Sequence, residues 1–391
     1  MINSPTQSTS APPAKFPPWL RKRIPAAGQA AQVSRILREL GLATVCSEAH
    51  CPNLPECHAR GTATFLILGD VCTRSCGFCA IASSPLKKSD CHVAQPPSAV
   101  RVLENGASCL GCSRPRAAEP HLQQAAKAAP RPPREDEPQA VAEACERLHL
   151  RHVVITSVTR DDLADGGAGH FARTIRAVRE RVPGAAVEVL APDFRGRTED
   201  VDTVLAAGPD IFNHNVETVQ RLYATVRPEA DYRRSLDVLA YAKERSEKGK
   251  VESEKRHHVA QPPPAVRAPE GRGFLPGGSR PRAAEPHLHG GGRLYTKSGL
   301  MVGLGETAEE VRAVLADLRG VGCDIVTIGQ YLAPSARHLA VARFVEPAEF
   351  EAWGREARAL GFAAALAGPF VRSSYNAQHV FADAEQRDAG T

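Results

Sequence analysis

No stretch of this 391-residue chain approaches the twenty or so consecutive apolar residues that a membrane span requires. Its N-terminus, MINSPTQSTSAPPAKFPPWLRKRIPAAG, is basic and rich in Ser and Pro but lacks the continuous apolar segment of a secretory signal. Charge of one sign is also scarce. The 49 Lys and Arg against 44 Asp and Glu leave a formal +5, too small and too scattered to make a nucleic-acid surface. Nor is the chain short: 42% hydrophobic content is enough to bury a substantial core, so no disulfide framework is needed to staple it. These absences predict a cytoplasmic protein with no membrane or nucleic-acid partner and with its thiols kept reduced.

What the chain does have is cysteine in an uneven distribution. Residues 46 to 79, CSEAHCPNLPECHARGTATFLILGDVCTRSCGFC, hold six of the eleven cysteines as two triplets of different spacing. Cys46, Cys51 and Cys57 form C-x4-C-x5-C, and Cys72, Cys76 and Cys79 form C-x3-C-x2-C.

Around the triplets, strand-like and helix-like patterns alternate. QAAQVSRILRELGL (29–42) spaces Val33, Ile36, Leu37 and Leu40 as on one helix face and meets Gly41 where a helix would stop. TATFLIL (62–68) is a β-branched apolar run between glycines, and similar runs lie at 152–158, 186–194, 210–216, 298–306 and 324–332. Helical patterns such as EPQAVAEACERLHL and TAEEVRAVLADLRGVG fall between them. Six such alternations predict an α/β fold with a parallel sheet, a partial (β/α)6 TIM-like barrel over residues 62–345. An N-terminal extension (1–61) carries the first triplet, and a C-terminal segment (346–391) follows the barrel.

Two stretches break the rhythm. HVAQPPSAVRVLENGASCLGCSRPRAAEPHL (92–122) recurs at 258–288 with about two-thirds identity. Stacking repeats must be adjacent to bury one another, and these are not. Their Pro, Gly and Arg content predicts disordered inserts spanning about 86–133 and 247–293. Cys91, Cys109 and Cys112 read as incidental thiols, because the second copy keeps neither Cys109 nor Cys112.

The second triplet sits in the loop after a predicted strand, where β/α barrels build active sites. Three thiolates are odd for structural zinc, which takes four ligands. On a four-iron cube they leave one iron open to a small chelating molecule. With Phe78 in the aromatic place, C-x3-C-x-aromatic-C resembles the signature of radical S-adenosylmethionine enzymes. In that superfamily the open iron holds S-adenosylmethionine, which one-electron reduction cleaves to a 5′-deoxyadenosyl radical.

The first triplet resembles the auxiliary-cluster motif of the lipoyl synthase family. So do the long blocks GTATFLILGDVCTRSCGFCAI, RHVVITSVTRDDLADGGAGHFARTIRAVRE and GPDIFNHNVETVQRLY, and the terminal GPFVRSSYNA. The resemblance implies two 4Fe-4S clusters and S-adenosylmethionine, with Ser374 of RSSYNA as fourth ligand to the auxiliary cluster and Ser373 as the neighbouring alternative. It implies sulfur insertion at C6 and C8 of an octanoyl chain on a lysine of a lipoyl carrier domain, the auxiliary cluster being the sulfur source. Such a carrier is a 2-oxoacid dehydrogenase acyltransferase or the glycine cleavage H protein, and the electron donor is a protein such as ferredoxin or flavodoxin. Unactivated C–H bonds do not yield to general acid–base chemistry, so no catalytic His or carboxylate is expected.

Asn213, Asn215 and Glu217 in FNHNVET lie at a predicted strand end, facing S-adenosylmethionine or substrate, or else forming an ordinary hydrogen-bonded loop. Asp161 and Asp162 read as caps for the following helix rather than as a carboxylate pair. His58 stands where the family has Trp. Two other functions fit parts of the pattern: a radical sulfur-inserting enzyme acting on a free small molecule, and a non-catalytic iron–sulfur or zinc protein.

Overall fold

The computed structural model describes residues 16–22, 28–60, 62–86, 129–259 and 293–389. Most of the two expected inserts lies outside these residues, as do Cys91, Cys109 and Cys112.

The chain enters through helix α1 (Gly28–Glu39), strand β1 (Ala43–Thr44), and the short helices α2 (Val45–Glu48) and α3 (Leu54–Ala59), which carry Cys46 and Cys57 with Cys51 in the turn between them. Strand β2 (Thr64–Ile67) follows, every residue buried, and then the two-residue strands β3 (Val71–Cys72) and β4 (Ala82–Ser83), which frame the second triplet. The β/α units come next in order: α4 (Glu137–Arg147), β5 (His152–Ser157), α5 (Ala168–Arg181), β6 (Ala186–Leu190), α6 (Thr198–Leu205), β7 (Ile211–Asn213), α7 (Tyr223–Val226) and α8 (Tyr232–Val259). After the second insert come β8 (Tyr295–Val302), α9 (Ala308–Gly320), β9 (Ile325–Gln330), α10 (Pro347–Ala359), β10 (Ala364–Gly368) and α11 (Ala377–Ala389).

These strands make one sheet in the order β1-β2-β5-β6-β7-β8-β9-β10. β1 runs antiparallel to β2, and every later pairing is parallel. The order ends at β1 and β10, which do not pair, so the barrel is open. The α/β, mostly parallel architecture expected from the alternation is what the chain forms.

Three details differ from the sequence expectation. The sheet has a seventh parallel strand, β10, whose AALAG offers no β-branched residue and little strand propensity. It pairs with β9 from Ala364↔Ile325 to Gly368↔Gly329, so the sheet continues past the boundary expected at 346. β8 begins at Tyr295 instead of 298, because Lys297 is buried in the barrel on a carboxylate and does not end the strand. Helix α8 runs to Val259, into the segment assigned to the second insert.

Apolar side chains fill the interface between sheet and helices. One cluster gathers Phe65, Ile67, Val153, Ile155, Phe171 and Val187, and a second gathers Leu300, Val326, Ile328, Phe350, Trp353 and Phe362. α11 closes one side through Val380 and Ala384, which pack with Tyr295, Ile325 and Ala364.

Candidate active site

The loop carrying Cys72, Cys76 and Cys79 is pinned from several directions. Arg74, only 6% exposed, donates from Nε to Asp161 Oδ2 at 2.7 Å and from Nη2 to Asp161 Oδ1 at 3.0 Å and Asp193 Oδ1 at 2.7 Å. Thr73 N donates to Thr159 O, Gly77 N to Val226 O, and Leu339 N to Gly77 O. The backbone N–H of Arg74 points at Cys72 Sγ, 3.4 Å away, as a donor that favours a thiolate there. Burial pushes all three thiols above their ordinary range, Cys79 to about 12, so they ionise only where a cationic centre holds them.

Asp161 and Asp162 neither cap the helix nor form a carboxylate pair. Asp161 takes Arg74 and Arg195, and Asp162 takes Arg160. The carboxylate that serves the start of α5 is Asp165, accepting from Gly167 N at 2.9 Å and Gly169 N at 2.8 Å.

The second triplet opens on a cavity of about 460 Å³ inside the barrel. Phe78 lines it beside Cys72, Cys76 and Cys79, and so do Asn215, Glu217, Gly299 and Tyr331. Cys46, Cys51, Arg372, Ser373 and Ser374 line it as well, so parts of both triplets face one space. Three buried polar atoms of lining residues have no protein partner, Ser157 Oγ, His214 Nε2 and Arg227 Nε. His214 Nδ1 lies 2.9 Å from Ala191 O, and burial, helped by the Arg227 cation, holds the ring down to about 4. The imidazole is therefore neutral, its Nδ1–H donates to the carbonyl, and Nε2 is left as an acceptor. Glu217 has φ +64, an uncommon conformation for a non-glycine residue, and burial pushes its carboxyl up while Asn215 Nδ2 donates to it at 3.1 Å. Strain and desolvation together single out Glu217 as a candidate functional position.

The first triplet borders a second cavity, of about 700 Å³, with Ser374, Tyr375 and Asn376. Cys46 sits on α2, whose N-cap Thr44 accepts from Ser47 N, and Cys51 N continues the turn by donating to Cys46 O. Burial, reinforced by Cys46 and Cys51, pushes Cys57 up to about 11. On its way to this site the C-terminal tail passes close against β9: a Cβ on Gly329 would stand 2.0 Å from Val371 O, so only glycine lets the tail lie there. Asn53 Nδ2 then donates to Phe370 O at 2.6 Å, Tyr375 OH to Glu56 Oε1 at 3.0 Å, and Arg60 Nη1 to Asn376 Oδ1 at 2.8 Å. Lys22 donates to Asn53 Oδ1, pairs with Glu56, and lies 5.0 and 5.1 Å from the centres of the Phe370 and Tyr375 rings.

The two serines differ. Ser373 Oγ accepts from Asn213 Nδ2 at 2.7 Å and donates to Asn215 Oδ1 at 2.9 Å, whereas Ser374 lines both cavities. Asn213 is fully buried and does not line the barrel cavity; its amide anchors the tail instead. His58 is 3% exposed with both ring nitrogens unpartnered, and it reaches neither cavity.

The donor set suits iron–sulfur clusters. No disulfide joins the described cysteines, and among the described residues no group of three or more His, Cys, Asp or Glu is arranged around a single metal ion. Thiolates on a cube each take a different iron and so stand farther apart than ligands of one ion. Ser157, His214, Arg227 and Arg372 were not singled out from the sequence, though His214 lies inside FNHNVET and Arg372 is the first residue of RSSYNA.

The Radical SAM superfamily model matches residues 66–251. Lipoyl synthase from Methylococcus capsulatus is 43% identical over 93% of this chain and 86% of its own length. Those from Nitratidesulfovibrio vulgaris (strain Hildenborough) and Chlorobium chlorochromatii are 43% and 41% identical, over 95% and 94% of this chain and 94% and 95% of their own. The chain belongs to the lipoyl synthase family. Solved structures with similarity include HydG, a maturase of the FeFe-hydrogenase, at 11% identity over 62% of this chain and 46% of that chain, TM-score 0.41. Methylornithine synthase gives 12% over 54% and 47%, TM-score 0.36. Both scores are too low to bear on function. As a member of the lipoyl synthase family with a radical SAM segment, the chain is a radical S-adenosylmethionine sulfurtransferase, and its cofactors are two 4Fe-4S clusters and S-adenosylmethionine.

Proposed function

We propose that this chain inserts two sulfur atoms, at C6 and C8, into an octanoyl group held on a lysine of a lipoyl carrier domain. The observation that carries the reading is the barrel cavity, which Cys72, Cys76 and Cys79 share with Cys46, Cys51 and Ser374. When bound, the cluster on the second triplet supplies the electron that cleaves S-adenosylmethionine to a hydrogen-abstracting radical, and the cluster on the first triplet supplies sulfur.

The protein's own groups bind, orient and exclude water. Arg74, tied to Asp161 and Asp193, fixes the cysteine loop against the barrel. Phe78, Ile81, Leu300 and Leu332 give the cavity an apolar wall suited to an acyl chain and hostile to water that would quench a radical. Asn215, Glu217 and neutral His214 present polar atoms for the amino, carboxylate and ribose groups of S-adenosylmethionine. Ser374 completes the ligand set of the first triplet, and residues 1–61, 62–345 and 346–391 act as cluster extension, barrel and ligand-bearing tail.

The carrier is the lipoyl domain of a 2-oxoacid dehydrogenase acyltransferase or the glycine cleavage H protein, and a ferredoxin or flavodoxin is the electron donor. A cytoplasmic site of action suits both partners; no described helix is long and apolar enough to cross a membrane. The test is anaerobic incubation with octanoylated carrier peptide, S-adenosylmethionine and dithionite, followed by mass spectrometry. Lipoyl peptide is expected, together with about eight irons per chain. Turnover of a free small molecule with no change in the peptide, or a colourless zinc protein, would replace the reading.

A further inference from the structure

The barrel holds a charged cluster that the reaction itself does not use. Glu188 on β6 is fully buried and accepts from Lys297 Nζ at 2.8 Å (Oε1) and 3.0 Å (Oε2). Lys297 on β8 is 1% exposed. His152 Nε2 on β5 stands 3.3 Å from Glu188 Oε2, and Asn213 Nδ2 on β7 donates to Glu188 Oε1 at 2.9 Å.

Burying an ion pair in a barrel is costly and seldom the best route to stability. Here the pair does something more. An ionised carboxylate only accepts, so it forces the Asn213 amide to point its NH2 inward. That NH2 has two protons. One goes to Glu188 and the other to Ser373 Oγ, while Asn213 Oδ1 is left without a partner. Ser373, now an acceptor from Asn213, must send its own proton to Asn215 Oδ1, and Asn215 in turn donates to Glu217. The polarity of the chain of bonds is thus set at Glu188 and read out at the tail, where both hydrogen-bonding roles of Ser373 are filled.

We propose that the buried Glu188–Lys297 pair, acting through Asn213, is the positioning device that locks Ser373 and so presents Ser374 to the first cysteine triplet. Asn213, Glu188 and Lys297 are positioning residues: they line neither cavity, and their effect reaches the first triplet through the tail. The inference rests on the reading of Ser374 as a cluster ligand.

The test compares Asn213→Ala, Ser373→Ala and Ser374→Ala, each reconstituted with two clusters. In Asn213→Ala, Glu188 keeps Lys297 and His152, so the barrel retains its ion pair, and Ser373→Ala breaks the same chain from the tail end without touching the barrel. Both variants are expected to lose auxiliary iron to a chelator about tenfold faster than the parent, the factor for one hydrogen bond of about 1.4 kcal/mol. The iron of the radical cluster and its EPR signal stay in place. In cluster-free protein, amides of residues 369–376 should exchange faster by a similar factor, a readout independent of activity. Parental iron loss and exchange in Asn213→Ala, or equally fast loss of iron from the radical cluster, would overturn the inference. Ser374→Ala that holds auxiliary iron as the parent does would overturn the ligand assignment instead.

Discussion

Replacing Lys297 by Met removes one half of a pair in which Glu188 is 0% and Lys297 1% exposed. With its cation present, Glu188 is held down to about 2, with Lys297 the leading favourable influence against burial. A carboxyl depressed from its usual 4.5 to that value contributes about 3 kcal/mol above pH 4.5, and the contribution is lost as pH falls toward 2. Breaking a buried pair from one side costs about 3–5 kcal/mol, in line with that figure. Without Lys297 the leading favourable influence is gone and burial pushes the carboxyl up, against His152 and the Asn213 amide, which remain. The stability that Glu188 contributes above pH 4.5 then shrinks. Urea unfolding followed by far-UV circular dichroism should show Lys297→Met less stable by about 3 kcal/mol at pH 7.5, with the gap to the parent narrowing as pH falls from 4.5 toward 2. Glu188→Gln combined with Lys297→Met leaves no buried charge and should cost less than Lys297→Met alone. A double variant whose loss equals the sum of the singles, or a pH-independent gap, would refute the argument.

Other perturbations separate the parts of the site. Replacing Cys72, Cys76 and Cys79 by Ala should abolish 5′-deoxyadenosine formation yet leave about four irons per chain, measured by metal analysis. Gly329→Ala places a methyl 2.0 Å from Val371 O, so the tail must shift; lipoyl formation should fall while 5′-deoxyadenosine formation, followed by chromatography, persists. With Ser374 as the proposed ligand, Ser374→Cys would exchange an oxygen for a thiolate that holds iron more firmly, so it should keep about eight irons and cleave S-adenosylmethionine while releasing little sulfur. His214, held down to about 4, is neutral in the fold, so the protein loses stability as pH falls from 6.5 toward 4, by about 2 kcal/mol at pH 5; urea midpoints of His214→Gln should lack that slope.

Cysteine spacing pointed to the cavity that both triplets border, because the cysteines of each triplet lie within a dozen residues of each other and leave a local imprint. The six apolar runs were legible as strands for the same reason. β10 was not, since AALAG has no alternation and takes its conformation from the edge of β9 that it completes. Lys297 looked like a strand boundary because the carboxylate that accepts it is 109 residues away. Asn213 looked like a cavity residue, yet its amide is spent on Glu188 and on Ser373, 160 residues further along. Asp161 resembled a helix cap until Arg74, from the cysteine loop, supplied its partner. In each case the deciding contact is long-range and pairwise, and neither periodicity nor composition records it.

The division of labour between the triplets is best tested by isotope. Protein whose clusters are rebuilt with 34S-sulfide is mixed anaerobically with unlabelled octanoylated carrier peptide, S-adenosylmethionine and dithionite, and the product of a single turnover is analysed by mass spectrometry. The account predicts a lipoyl peptide carrying two heavy sulfurs, with no such product from the chain in which Cys46, Cys51 and Cys57 are replaced by Ala, although that variant still forms 5′-deoxyadenosine. Unlabelled sulfur in the product, or heavy lipoyl peptide made by the variant lacking the first triplet, would contradict it.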